Sequence, residues 1–157
     1  MTDKKPEEDV FRDTPVRYLG YANEVGEAFR PIVSPSIVWL SYVISSGYVI
    51  ADTVHKGWKE YEGNTSKEAT KNALYSMADT LLWQTFASVL IPGFMINRIC
   101  AATQCLQRKS CNPVIRNRWM STVIGLVSIP LIIQPIDHIV DEAMNVTYRK
   151  WVGYYPK

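Results

Sequence analysis

The placement of charge constrains this chain more than any motif in it. Lys, Arg, Asp and Glu are absent from residues 31–51, 80–97 and 119–136, stretches of 21, 18 and 18 residues. All 17 basic and all 15 acidic residues fall outside them. As helices, such stretches reach about 27–31 Å, the thickness of a hydrocarbon core. The averages hide this pattern, because 20% charged and 47% hydrophobic residues would suit a soluble domain. One uncharged stretch could be a core helix of a soluble bundle, but three at even spacing point to three membrane helices. Trp119 and Tyr75 sit where an interfacial aromatic belt would place them, whereas Trp39 lies deeper.

The expected fold class is therefore an all-α membrane protein with three transmembrane helices, two of them proline-kinked, and an amphipathic interfacial helix at each end. Residues 1–11 read as a mobile polar arm and 12–152 as a single helical membrane domain, with a short tail at 153–157. The spans are expected at about 32–51, 74–97 and 119–136, and the interfacial helices at about 15–30 and 137–152. In the first of these, Thr14 before Pro15 makes a helix start. Val16, Leu19, Ala22 and Phe29 share one face there, with Arg17, Glu24 and Glu27 mostly elsewhere. Such a helix suits a membrane surface, a partner, or a solvated lead-in to the first span. The second carries Ile139, Val140, Ala143, Val146 and Tyr148 before Arg149, Lys150 and Trp151, a mix that either lies in the interface or re-enters the membrane.

Within the spans, three kinds of residue stand out. Small residues four apart, Ser41 with Ser45, Gly47 with Ala51 and Ser121 with Gly125, let helix backbones approach closely. Pro92 with Gly93, then Pro130 and Pro135, interrupt the helical hydrogen-bond ladder. Pro92 has no N–H for the Ser88 carbonyl, and in lipid that carbonyl needs a hydroxyl or a facing helix as donor. Asp79 and Gln84 are polar groups within the second span. Asp79 could lie at headgroup level, pair with a buried cation, or serve ion movement.

Between the second and third spans the chain is strongly basic. Arg98, Arg108, Lys109, Arg116 and Arg118 occur with no acidic residue among them. Such a segment stays on the electrically negative side of an energised membrane and also attracts anionic headgroups. Three spans would put the N-terminal arm on this side too, with the 52–71 loop and the C-terminus opposite.

No chemistry emerges from the remaining motifs. The spacing of Cys100, Cys105 and Cys111 resembles neither a zinc site nor a disulfide framework. His55 beside Asp52, and His138 beside Asp137 and Asp141, have no nucleophile or glycine-rich loop near them. Walker, Rossmann and G-x-S-x-G patterns are absent. The expectation is a non-enzyme without cofactor, metal or nucleic-acid partner. The N-terminal residues lack the composition of a signal or transit peptide, so targeting would rest on internal segments. Sequons at Asn64 and Asn145 matter only in a secretory setting.

"RDTPVRYLGYANEVGEAFRP", "WLSYVISSGYVIADTVHKG", "DTLLWQTFASVLIPGFMINRICA" and "IPLIIQPIDHIVD" together closely resemble the mitochondrial fission process protein 1 family. That resemblance implies a small multi-pass protein of the inner mitochondrial membrane, tied to mitochondrial division and inner-membrane integrity, and it brings no catalytic residues. In that setting the basic segment would face the matrix, cardiolipin would be the anionic lipid, and the cysteines would stay thiols. Partners would be this lipid and other inner-membrane proteins or further copies of the chain. An accessory subunit of a respiratory complex, ATP synthase or carrier is the first alternative. An oligomeric proton or solute conduit using Asp79, Gln84 and Gln134 is the second.

Overall fold

The computed structural model describes Phe11 and residues 15–63 and 68–155. Most of the polar arm, the Thr14 helix start, the Asn64 turn and sequon, the Arg17 side chain and the last two tail residues lie outside the described residues. A 3-10 helix, Pro15–Tyr21, leads into α1 (Ala22–Phe29), followed by α2 (Pro35–Gly63) and α3 (Ala69–Gln84). A π-helical segment, Thr85–Leu90, joins α3 to α4 (Ile91–Lys109), and α5 (Arg118–Val146) and the single turn α6 (Tyr148–Val152) complete the chain. Among the described residues there is no strand.

Three rods, of 29, 41 and 35 residues, the last counting α5 together with α6, are long and apolar enough to cross a membrane. They outrun the charge-free stretches because charge does not end a helix. Lys56 pairs with Asp52 one turn away at 2.9 Å, and α2 continues. Local chemistry sets the ends instead. Ser110 turns extended after α4, and the Asn117 side chain caps α5 by accepting from the Trp119 N–H at 3.1 Å. Gly153 stops α6 with a φ of 70°, its N–H donating to the Arg149 carbonyl at 2.8 Å. The basic segment is thus mostly helix: Arg98, Arg108 and Lys109 belong to α4, and only residues 110–117 form a loop. Likewise residues 137–146 are not a separate interfacial helix but the continuation of α5.

The surface is apolar where a soluble bundle's is polar, and the interior mixes apolar residues such as Val38, Ile96 and Ile136 with fully buried polar ones. Trp39, Val43, Ile50, Phe94, Val127, Leu131 and Ile139 point outward, whereas Asn23, Glu24, Ser45, Asp52 and Ser121 are 0% exposed. Burial of apolar area in water cannot account for this arrangement, but a lipid solvent can, because packing and internal hydrogen bonds then hold the helices together.

Helix α1 follows the same rule, which corrects the expected face assignment. Glu24 and Glu27 are buried, and Val25 is exposed. The helix lies among α2, α4 and α5, where small residues give it room. A Cβ on Gly26 would stand 1.9 Å from Ser41 Oγ, and one on Gly125 would stand 3.0 Å from Ala28 Cβ. The segment leading to α1 runs antiparallel to α2. Phe11 meets Tyr48 edge to face and His55 at a tilt, with ring centroids 5.7 and 5.3 Å away, Gly20 packs on Tyr48, and Gly26 packs on Ser41 near the start of α2. Phe11 therefore lies toward the α2–α3 end of the bundle, not at the basic end where three crossings alone would put it.

Candidate functional site

Two polar regions carry what chemistry the fold offers: a buried network through the interior, and an open cationic groove at one end.

The network begins at α1. Glu27 accepts from Arg30 Nε and Nη2 at 2.6 Å each, from the Tyr42 hydroxyl at 2.9 Å and from Asn97 Nδ2 at 2.9 Å. One carboxylate thereby ties α1 to α2 and α4. One turn earlier, Asn23 Nδ2 donates to the Val89 carbonyl at 3.1 Å. The bond falls beside the Ser88 carbonyl that Pro92 deprives of its usual donor, not on it. The ladder slips to π spacing, with the Ile91 N–H reaching Phe86, five residues back. A facing helix then supplies the extra donor, to Val89 rather than to the expected Ser88. Gly93 makes the approach possible, since a Cβ there would stand 2.7 Å from the Tyr42 hydroxyl and 3.1 Å from Asn23 Nδ2. Pro130 and Pro135 lie inside α5, which continues through both.

Glu24 is the outlier of the network. It is fully buried, and neither carboxylate oxygen has a hydrogen-bond partner among the described residues. Asp52 is half satisfied: its Oδ2 accepts from Lys56 Nζ at 2.9 Å and from Gln84 Nε2 at 2.7 Å, while Oδ1 has no such partner. Gln84 in turn accepts from the Ser88 hydroxyl at 2.6 Å. Asp79 is held by Arg149, with Nε to Oδ1 at 2.7 Å and Nη2 to Oδ2 at 3.0 Å, a bidentate pair in which both side chains are buried. Arg149 Nη1 reaches Asp141 at 2.5 Å and Asn145 at 3.0 Å. Asp79 thus stands in a buried pair, one of the three roles open to it in sequence.

These groups line a half-open cavity of about 780 Å³ between the α2–α3 end and the C-terminal turn. Asp52, Asp79, Asp141, Lys56 and Arg149 contribute to its wall, with Trp83 and Tyr154 on the apolar side. Tyr154, past the last rod, is shifted to higher pKa mainly by burial, which its hydrogen bond with Ser76 partly opposes. Gln134, named with Asp79 and Gln84 for a conduit, is exposed and apart from this cavity.

At the opposite end, Pro31, Gln104, Gln107, Arg108, Arg116 and Arg118 line an open groove of about 380 Å³. Three of the five predicted lipid-binding cations meet there. Arg98 does not, since its guanidinium lies over the Phe94 ring, 5.2 Å from the centroid, and Lys109 is exposed outside the groove.

The small-residue pairs divide by face. Ser45, Ser121 and Gly125 are buried, and Ser41 packs on Gly26. The Ser121 hydroxyl donates to the Cys100 carbonyl at 3.0 Å. Gly47 and Ala51 face outward, and a Cβ on Gly47 would meet nothing within 4 Å. Among the described residues no group of three or more His, Cys, Asp or Glu side chains could hold a metal ion. Sequence reasoning missed Asn23, Glu27, Tyr42, Asn97 and Arg149. The available signal was Gly26 and Ala28 interleaved with Glu24 and Glu27, which marks a polar face that other helices approach closely.

An apolar exterior around an interior that holds a polar, hydrogen-bonded network defines the class: a helical membrane protein with three rods able to span the bilayer. The particular family follows from comparison with known proteins. The family described as mitochondrial 18 kDa protein (MTP18) matches residues 10–144. Mitochondrial fission process protein 1 of Caenorhabditis elegans is 54% identical over 145 residues, covering 90% of this chain and 87% of that protein. The Homo sapiens protein of the same name is 48% identical over 156 residues, covering 96% of this chain and 93% of its own. The Danio rerio protein is 44% identical over 151 residues, with 95% and 91% covered. The chain belongs to this family of mitochondrial proteins. No solved structure matches it.

Proposed function

We propose that this protein is a non-catalytic, multi-pass component of the inner mitochondrial membrane that takes part in mitochondrial division and inner-membrane organisation. It acts by packing against partner helices and by gathering anionic lipid, with cardiolipin as the natural candidate. The division role is supported by relatives named for mitochondrial fission at 44–54% identity over most of the chain. The observation that carries the physical part is the inverted surface, apolar outside with an acid-free basic end. That end would stay on the matrix side.

The test is alkaline extraction followed by protease protection in mitochondria and mitoplasts, together with depletion of the protein. The expected outcome is a chain that resists extraction, becomes protease-accessible only once the outer membrane is ruptured, and alters mitochondrial division when removed. A chain released by alkali, or digested in intact mitochondria, would overturn the inner-membrane placement. Unaltered division after depletion would overturn the role.

A second reading has its own observation. The outward Gly47–Ala51 face, with nothing against it, is the kind of notch in which a helix of a larger complex packs. A gently extracted particle of fixed stoichiometry with a respiratory complex or carrier would favour an accessory subunit. A small particle with bound lipid would favour the first reading.

A further inference from the structure

We propose that the groove formed by Arg108, Arg116 and Arg118 is a headgroup site that takes the phosphate of an anionic phospholipid from the surrounding leaflet. The proposal rests on the anionic-lipid reading above and narrows it, from five cations acting as a diffuse field to three acting at one place.

The three guanidinium groups come from different parts of the chain: Arg108 from the last turn of α4, Arg116 from the loop and Arg118 from the first turn of α5. They share a groove with Gln104 and Gln107, which add amide donors. Among the described residues, none of the three makes an ion pair, hydrogen bond or ring contact, so their donors are available. Arg30, beside the groove residue Pro31, is occupied by Glu27, and Arg98 is stacked on Phe94. Guanidinium forks match phosphate oxygens in geometry as well as charge, which a lysine at the rim does not.

The backbone beneath the groove is fixed. Gln107 Nε2 donates to the Asn117 carbonyl at 2.9 Å, joining the end of α4 to the start of α5. Asn112 Oδ1 accepts from the Val114 N–H at 3.0 Å and holds the loop turn. A groove tied in this way loses less entropy on binding than three arginines on a loose loop.

Position distinguishes a lipid from a soluble anion. The groove stands where the apolar rods end, at the depth of headgroups. Exposed apolar residues flank its lining in sequence: Leu106 before Gln107, Val114 and Ile115 before Arg116, and Trp119 after Arg118. A free phosphate has no use for those side chains, whereas a phospholipid whose phosphate sits in the groove lays its acyl chains along them.

The experiment uses the full chain in phosphatidylcholine bilayers doped with pyrene-labelled phosphatidylglycerol. Tryptophan-to-pyrene transfer, against a pyrene-phosphatidylcholine control, reads the relative association of the anionic lipid. Two charge-matched double variants are compared, R108Q/R116Q and R98Q/K109Q. The expected result is a loss on the order of tenfold for the first and less than about twofold for the second. Equal losses in both would overturn the groove while leaving the general anionic-lipid reading standing. No preference for phosphatidylglycerol in the unaltered protein would sink both. Millimolar inorganic phosphate should leave the preference intact; full displacement by it would assign the groove to a soluble anion instead.

Discussion

The two ends of the bundle use arginine in opposite ways. At the C-terminal end, Arg149 is buried and all three of its donor nitrogens are engaged, with Asp79, Asp141 and Asn145. At the other end, Arg108, Arg116 and Arg118 are exposed and bare among the described residues. The first arginine is a structural strut that locks the C-terminal turn onto α3. The other three contribute little to the fold and remain available to something outside it. Charge in a membrane protein thus divides into groups already used in folding and groups left for recognition, and a count of cations in the sequence does not separate the two.

The largest effect should come from breaking the strut. Arg149→Met leaves Asp79 buried without a partner, and should lower stability in detergent by about 3–5 kcal/mol, read as a fall in thermal midpoint. Adding Asp79→Asn should recover a substantial part. If Arg149→Met is silent, the strut is not one and the contrast between the ends collapses. Glu27→Gln comes next. Glu27 lies toward the basic end but is as fully engaged as Arg149, and losing charge-assisted bonds to Arg30, Tyr42 and Asn97 should cost about 1.5–3 kcal/mol.

Glu24→Gln sharpens the comparison within a single helix turn. Among the described residues neither buried Glu24 oxygen has a hydrogen-bond partner, so neutralising the side chain should give anything from no change to a gain of about 1 kcal/mol. A loss of that size would reveal an unseen partner. Smallest of all, Arg108, Arg116 and Arg118 changed together to Gln should leave the thermal midpoint within the equivalent of about 0.5 kcal/mol, because exposed, unpaired side chains hold nothing in place.

Much of this architecture could be read from charge spacing alone, because lipid excludes unpaired charge and so leaves long uncharged runs in the sequence. The limits of the helices could not. Lys56, one turn from Asp52, shows that paired charges carry a helix onward past the apolar run. The orientation of α1 was misread for a related reason. A polar face was assumed to look outward, a rule that water imposes and lipid reverses. The Pro92 reading followed from a single missing N–H, whereas the facing-helix amide found nearby, from Asn23, serves Val89 rather than Ser88 and lies 66 residues from it. Arg149 was illegible as a partner for Asp79 because 70 residues separate them and only tertiary packing brings them together.

The antiparallel strap from Phe11 through α1 also changes how the chain must be counted through a bilayer. On the membrane placement proposed above, the path from Phe11 to the basic end would add a passage to those of the three membrane-length helices. Phe11 and Tyr155 would then share a face, and among the described residues the short turn before α2 and the 110–117 loop would lie on the other. Single labels at Phe11 and Tyr155 should therefore report the same compartment, and a thiol reagent confined to the other side should meet the exposed Cys105 and Cys111 first.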